Sequence, residues 1–156
     1  MFKKRPFVLN GEIGLKDERG EITNFYPSRP IKMVGIITSN KAGDVRANHW
    51  HPKEEQNVLV IKGGYISLWR DREDPEKIIH HHLVKKGQIE IMPSNTDHAM
   101  IFLEPSEILN LVDENRDKEG YNSVLGHTVR LEQPLIDTKD EIKIKEYLER
   151  YHENKE

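Results

Sequence analysis

The chain has 156 residues, of which 33% are charged, and a net charge of −3 with both signs interspersed. This length suits one domain with a substantial buried core, and the charge offers no basic surface for nucleic acid or anionic membrane. The absence of cysteine excludes disulfides, thiolate metal sites and a cysteine nucleophile, and is consistent with a reducing compartment. With no apolar run of membrane-spanning length and no signal-peptide core at Met1, we expect a soluble, cytoplasmic protein.

Short strands separated by turn residues occupy most of the chain. The pattern predicts strands at about 7–15, 22–25, 31–38, 58–61, 65–69, 78–84, 89–92, 99–103 and 107–112. Pro52 lacks a backbone N–H and should end the strand that contains the histidines just before it. Short strands at this regular spacing predict an all-β barrel or sandwich, with Val58, Val60 and Ile89 or Ile91 in its core.

The C-terminal part has a helical pattern instead. Residues 138–141 have the form of a capping box. Beyond them the apolar positions follow i, i+3, i+4 and i+7, and these are Ile144, Tyr147, Leu148 and Tyr151. We expect one amphipathic helix from about 139 to 152, packed on the barrel exterior or on a second subunit.

The eight histidines lie in different surroundings. His49 and His51 alternate along an extended stretch, so both imidazoles project from one face, about 7 Å apart at their α-carbons. The tract at 80–82 follows a charged hairpin, and adjacent strand residues point to opposite faces, so a solvated strand is expected there. His152 is expected at the surface, and a structural role is expected for His127.

Two stretches have a spacing that resembles the two signatures of the cupins. Residues 43–63 read Gly-x5-His-x-His-x4-Gln-x6-Gly, where the usual cupin residue at the glutamine position is glutamate. Residues 87–102 resemble the second signature, Gly-x5-Pro-x-Gly-x2-His-x3-Asn, with Asn95 replacing the glycine and Phe102 the final asparagine. The two halves cover most of residues 31–112.

The resemblance implies one cupin domain over 1–156, a double-stranded β-helix (jelly-roll barrel) with its core at about 22–130 and the C-terminal helix outside. It places His49 and His51 at the barrel mouth, with His98 approaching from the opposite strand and Arg46 near the same mouth. The alternative is that these are hydrogen-bonded interior histidines without chemistry, and that Arg46 forms a surface salt bridge.

A set of histidines with an amide or carboxylate can bind a divalent ion (Zn, Mn, Fe or Ni), leaving positions open for water or substrate. The metal ligands that the resemblance implies are His49, His51, Gln56 and His98. Glutamine is a weaker ligand than glutamate and lowers the charge of the site. Strict alternation from His51 would favour Glu55 instead, but the break at Pro52 and the distance to Gly63 favour Gln56.

Among cupins, the stretches 17–20, 30–32 and 46–51 resemble the nucleotide-sugar, or RmlC-like, branch. That branch contains the dTDP-4-keto-6-deoxyglucose 3,4-ketoisomerases (WxcM-like), with an Arg-Gly-x-His-Ala-His motif. It also contains the cupin domain of the capsular-polysaccharide reductase/epimerase, with Arg-Gly-Asn-His-Tyr-His and a metal. The dTDP-4-dehydrorhamnose 3,5-epimerases share Arg-x-x-His but carry glutamine where this chain has His51. Ala47 replaces the family glycine, and Trp50 replaces alanine or tyrosine.

By this resemblance His49 is the base, His51 its proton-shuttling partner, and Arg46 and Lys32 bind an anionic substrate. Histidine suits proton removal next to a ketone because its pKa lies near neutral. The resemblance therefore implies a homodimeric isomerase or epimerase of a nucleotide-linked 4-keto sugar, acting by 3,4-ketoisomerisation or C3 epimerisation in cell-surface polysaccharide or deoxysugar biosynthesis. Two other classes remain open: a metal-dependent small-molecule cupin of the dioxygenase or phosphosugar isomerase type, and a non-catalytic sugar-binding cupin.

Overall fold

The computed structural model describes residues 4–114 and 127–152. Within these residues the chain forms twelve strands and one helix. The strands are β1 (Phe7–Asn10), β2 (Glu12–Asp17), β3 (Gly20–Asn24), β4 (Met33–Ser39), β5 (Val45–Trp50), β6 (Gln56–Lys62), β7 (Gly64–Asp71), β8 (His80–Lys85), β9 (Gln88–Met92), β10 (Thr96–Phe102), β11 (Ser106–Val112) and β12 (Val129–Arg130), followed by helix α1 (Glu141–Tyr151).

The strands form two five-stranded antiparallel sheets and one separate hairpin. One sheet has the order β1-β9-β6-β11-β4, the other β12-β5-β10-β7-β8, and β2 pairs only with β3 among the described strands. From β4 to β12 the chain alternates between the two large sheets, except that β7 and β8 are neighbours in one of them, and this is the jelly-roll arrangement. The predicted fold class, all-β with one C-terminal helix, is confirmed. The predicted barrel core at about 22–130 omitted β1, which pairs with β9, and it includes residues 115–126, which lie outside the described residues.

The interior between the sheets is lined by one face of each strand. Val58 pairs with Glu90 on one side and with Asn110 on the other, so these side chains share the inner face. The apolar interior cluster consists of Val58, Val60, Tyr65, Val84, Met100, Phe102 and Ile108. Val58 and Val60 are therefore core residues, as predicted. Ile89 and Ile91 are buried too, but on the outer face, in a cluster with Leu59 and Phe25.

Helix α1 packs on the outside of the sheet that contains β7 and β10. Its buried residue, Ile144, joins a cluster with Ile66, Leu68, Ala99, Ile101, Leu135 and Ile136. The side chain of Asp140, rather than Thr138, caps the helix by accepting from the backbone N–H of Lys143 at 3.0 Å. The exterior position is the one predicted. No helix within the described ranges has the length and apolar character to cross a membrane.

Candidate active site

A β-bulge in β5 directs the two predicted histidines towards the interior. Ala47 and Asn48 both have left-handed backbones, with φ of +70° and +56°, and the pairing of β5 with β10 shifts at this point. His98 of β10 lies directly opposite His49. Glycine adopts a positive φ without steric cost, so the backbone at Ala47 suits the glycine of the motif that this stretch resembles.

Three histidines meet at the end of this bulge. The ring centroid of His49 lies 4.7 Å from that of His51 and 4.7 Å from that of His98, and the last two are 5.1 Å apart. His51 and His98 are buried, whereas His49 is partly exposed. The structure thus brings together the three histidines that the sequence singled out, with His49 on β5, His51 just after its last residue Trp50, and His98 on the distant strand β10.

Backbone carbonyls fix the protonation pattern of two of these rings. His51 donates from Nδ1 to the carbonyl of His127 at 2.5 Å, and His98 donates from Nδ1 to the carbonyl of Thr96 at 3.0 Å. In a neutral ring the lone pair is then on Nε2. Burial lowers the pKa of His98, which favours this neutral form. The backbone carbonyl of His127 thus orients the His51 ring, whereas the structural role expected for the His127 side chain stays a prediction.

An internal cavity of about 280 Å³ opens beside the cluster. Its walls come from β4, β5, β6, β10 and β11. Five polar residues line it, which are Arg46, His49, Gln56, His98 and Asn110. The remaining lining residues include Ile37, Val58, Met100 and Ile108. A largely apolar cavity with a few convergent polar groups is the usual form of a small-molecule site.

Gln56 lines this cavity and Glu55 does not, in agreement with the sequence-based preference. Glu55 instead accepts a hydrogen bond from the hydroxyl of Ser28 at 2.6 Å. Sequence reasoning missed Glu54, whose side chain is fully buried. Its carboxylate accepts from Nε2 of Gln56 at 3.0 Å and lies 3.9 Å from Nδ1 of His51. Glu54 therefore orients the Gln56 amide and lies next to the His51 ring.

The two predicted cations occupy different places. Arg46 lines the cavity, and its Nε and one terminal nitrogen donate to the carbonyl of Thr38 at 3.1 and 2.8 Å. This bond holds the guanidinium at the cavity wall. The side chain of Lys32 is exposed and is not among the residues that line the cavity.

The histidine tract at 80–82 differs from the solvated strand that the sequence predicted. His80 stacks on Trp69 with a centroid distance of 4.3 Å. His81 faces the helix, where its Nδ1 contacts the hydroxyl of Tyr151 at 2.6 Å. His82 faces the interior and bonds to the buried carboxylate of Glu90. Each ring has a packing partner because the helix covers one face of β8 and the interior the other.

The three-histidine cluster also fits a divalent metal ion. Its ligand nitrogens all lie within 4.8 Å of one another, and nitrogens bound to one zinc ion lie no more than about 4 Å apart. Small ring rotations would therefore let His49, His51 and His98 share an ion. Backbone carbonyls that hold the outer ring nitrogens, as at His51 and His98, are the usual surroundings of metal-bound histidine. Gln56 lines the same cavity as His49 and His98, and its oxygen would be the fourth ligand of the set that the sequence implies.

The fold is the jelly-roll barrel that the sequence predicted, and the histidine site lies in its interior. No protein-family model matches the chain, and no curated protein matches its sequence. Several solved structures do match the chain. A 3,4-ketoisomerase from Helicobacter canadensis superposes with a TM-score of 0.66 at 16% identity, over 94% of this chain and 97% of that one.

Two further solved structures extend this likeness. A mutant of the 3,4-ketoisomerase from Thermoanaerobacterium thermosaccharolyticum, in complex with TDP-4-keto-6-deoxyglucose, has a TM-score of 0.66 at 15% identity, over 96% of this chain and 99% of that one. The dTDP-4-dehydrorhamnose 3,5-epimerase from Bacillus anthracis, with TDP and pyrophosphate bound, has a TM-score of 0.65 at 18% identity, over 88% and 91% of the two chains. At these identities the likeness establishes a shared fold.

Proposed function

We propose that this protein is an isomerase or epimerase of a nucleotide-linked 4-keto sugar, acting by histidine acid/base proton transfer. The observation that carries the proposal is the placement of His49, which is partly exposed, lines the cavity and has His51 and His98 against its ring. The shared fold supports the substrate class, since the similar solved structures include a 3,4-ketoisomerase in complex with TDP-4-keto-6-deoxyglucose and a dTDP-4-dehydrorhamnose 3,5-epimerase.

The chemistry required is removal and return of a proton next to a carbonyl. His49 is the base, because its ring reaches the cavity and the ordinary pKa of histidine lies near neutral. His51 lies behind it, with its ring orientation fixed by the carbonyl of His127, and relays the proton between the two carbons. Arg46, held at the cavity wall by the carbonyl of Thr38, stabilises the negative charge of the enediolate or of the diphosphate.

The second histidine favours 3,4-ketoisomerisation or C3 epimerisation over 3,5-epimerisation. A 3,4-ketoisomerase removes a proton at C3 and delivers one at C4, while a hydroxyl proton moves from the C3 oxygen to the C4 oxygen. Two neighbouring imidazoles, with ring centroids 4.7 Å apart, suit this exchange better than one histidine with a glutamine. Enzymes of this kind would serve deoxysugar or cell-surface polysaccharide biosynthesis in the cytoplasm, where nucleotide sugars are made.

A metal-dependent activity is the second candidate, and the geometry of the three histidines favours it specifically. A bound divalent ion would act as a Lewis acid on a substrate oxygen. The residues that would hold it are His49, His51, His98 and Gln56. The neighbouring carboxylate of Glu54 would offset part of its charge.

The apolar outer surface supports a homodimer. The outer face of the β1-β9-β6-β11-β4 sheet and the β2–β3 hairpin expose a group of large apolar side chains, which are Phe7, Leu9, Ile13, Leu15, Ile22, Val34 and Ile36. Ile36 is 73% exposed on β4, the last strand of the described sheet. Extensive apolar exposure of this kind marks an interaction surface, and a second copy of this chain would cover both the sheet and the hairpin.

Product analysis by NMR tests the proposal. The wild type is incubated with a panel of dTDP- and UDP-linked 4-keto sugars, with and without a chelator. We expect a 3-keto or C3-inverted product, and we expect His51→Gln to lower ketone transfer more than it lowers binding. Inversion at both C3 and C5 would replace this assignment with 3,5-epimerisation. Loss of activity on chelation, restored by one added metal, would establish the metal-dependent candidate.

A further inference from the structure

One wall of the cavity contains an asparagine to which the proposed proton transfer assigns no role. Asn110 of β11 is 3% exposed, and it pairs with Gly35 of β4 on one side and Val58 of β6 on the other. All three residues line the cavity. The other lining residues from β6, β10 and β11 are the apolar Val58, Met100 and Ile108 and the polar Gln56 and His98. Asn110 thus has an apolar strand neighbour in Val58, while the second amide of the cavity, Gln56, donates to Glu54.

The amide oxygen of Asn110 has no hydrogen-bond donor within the part of the chain that the structure describes. A buried acceptor without a donor destabilises a fold, and native proteins rarely keep one without a reason. An isosteric leucine at this position would pack in the same space without that cost. The asparagine therefore suggests a ligand that supplies the missing donor.

Gly35 leaves space beside this amide. Its backbone does not have a positive φ, and a methyl group added to it would lie 3.9 Å from the β-carbon of Asn110 and 4.0 Å from its backbone oxygen, which are ordinary contacts. Neither backbone geometry nor crowding requires glycine here. Glycine in a strand interior lowers stability, and it often marks a close approach by a ligand. The missing side chain therefore enlarges the cavity next to Asn110.

We propose that Asn110 and Gly35 form a hydroxyl-recognition subsite, in which a ring hydroxyl of the sugar donates to Oδ1 of Asn110 while the ring edge occupies the space over Gly35. This inference rests on the proposed function and names the part of the cavity that selects the sugar. A hydroxyl fits better than a charged donor, because the neighbouring Val58 is apolar and Arg46 at the same cavity disfavours a cation.

Asn110→Leu tests the inference, with Ser67→Ala as the matched control. Ser67 also has a buried oxygen without a donor among the described residues, but it does not line the cavity. In Asn110→Leu, we expect kcat/KM for dTDP-4-keto-6-deoxyglucose to fall about 10- to 100-fold. The Kd of dTDP alone should stay within about 2-fold, and Tm should rise by about 2–4 °C. Ser67→Ala should raise Tm without changing kcat/KM, and Gly35→Ala should raise KM.

Analogues that lack one ring hydroxyl identify the donor. The wild type should bind the 2-deoxy and 3-deoxy forms of the dTDP sugar more weakly than the parent sugar. For one of the two analogues, this loss of affinity should vanish in Asn110→Leu. If both losses of affinity persist in Asn110→Leu, or if this variant lowers Tm and leaves kcat/KM unchanged, Asn110 has a structural role. The inference then fails while the proposed function stands. A wild type that neither binds nor converts any 4-keto nucleotide sugar would overturn the proposed function as well.

Discussion

Replacing Asn48 with alanine is expected to destabilise the protein by about 3 kcal/mol, because one side chain joins the C-terminal segment to the histidine strand. Its Oδ1 accepts from the backbone N–H of Leu135 at 2.9 Å, and its Nδ2 donates to the carbonyl of Ile136 at 2.9 Å. These two bonds contribute about 1 kcal/mol each. The left-handed φ of +56° costs alanine about 1 kcal/mol more than asparagine, which tolerates it.

Urea denaturation followed by circular dichroism measures this change. With an m-value of about 1–3 kcal/mol/M, the midpoint should fall by about 1–3 M. Asn48→Asp keeps the acceptor for Leu135 and should lose less. Asn40→Ala, at an exposed asparagine in the preceding loop, should change stability by less than about 0.5 kcal/mol. If Asn48→Ala matched the wild type within about 1 kcal/mol, the reasoning that these bonds hold the segment on β5 would be refuted.

Three further predictions concern the metal, the helix and the dimer. Protein purified without a histidine tag should contain Zn, Mn, Fe or Ni by elemental analysis. Loss of a ligand in His98→Ala should weaken metal binding, and the added negative charge in Gln56→Glu should strengthen it. A metal-free wild type with no gain in Gln56→Glu would leave the site without metal. Burial and the guanidinium of Arg150, which contacts the ring, lower the pKa of His81. The stability that the neutral His81 ring contributes to helix docking should therefore be full above about pH 6.5 and be lost as the pH falls below that value. His81→Gln should reduce the loss of stability between pH 7.5 and 5.5, and an unchanged loss would contradict this. In sedimentation the wild type should be a dimer and Ile36→Lys a monomer. The control is Ile142→Lys on the helix, where the native side chain is 75% exposed, and this variant should stay dimeric. A monomeric wild type at micromolar concentration would contradict the dimer.

The strands could be predicted because their signals are local. Alternation with period two, turn residues and the break at Pro52 are visible over a few positions, and β5 ends at Trp50 while β6 begins at Gln56. Pairing between distant strands is not visible in this way. Strand β1 joins the sheet through β9, where Phe7 pairs with Ile91, so the predicted barrel started about 15 residues too late.

Residues of the site could be predicted where motif spacing identified them, but not where only folding brings distant residues together. His49, His51 and His98 stand at motif positions, and the structure clusters them. The carbonyl of His127, 76 positions from His51, has no signal in the sequence. Glu54 had a weak signal, since a carboxylate two positions before Gln56 could have been tested as an inward group after the break at Pro52. Asn110 had none, because a single polar residue in an apolar strand also occurs at exposed edges.

Solvent isotope exchange tests most directly whether His49 removes a proton next to the ketone. Wild-type protein and a 4-keto nucleotide sugar are mixed in deuterium oxide, and label at the carbon beside the ketone is followed by NMR. We expect exchange in the wild type, a loss of about 10²- to 10⁴-fold in His49→Asn, and impaired ketone transfer with some remaining exchange in His51→Asn. Unchanged exchange in His49→Asn, or no exchange in the wild type with any dTDP- or UDP-linked 4-keto sugar, would contradict this expectation.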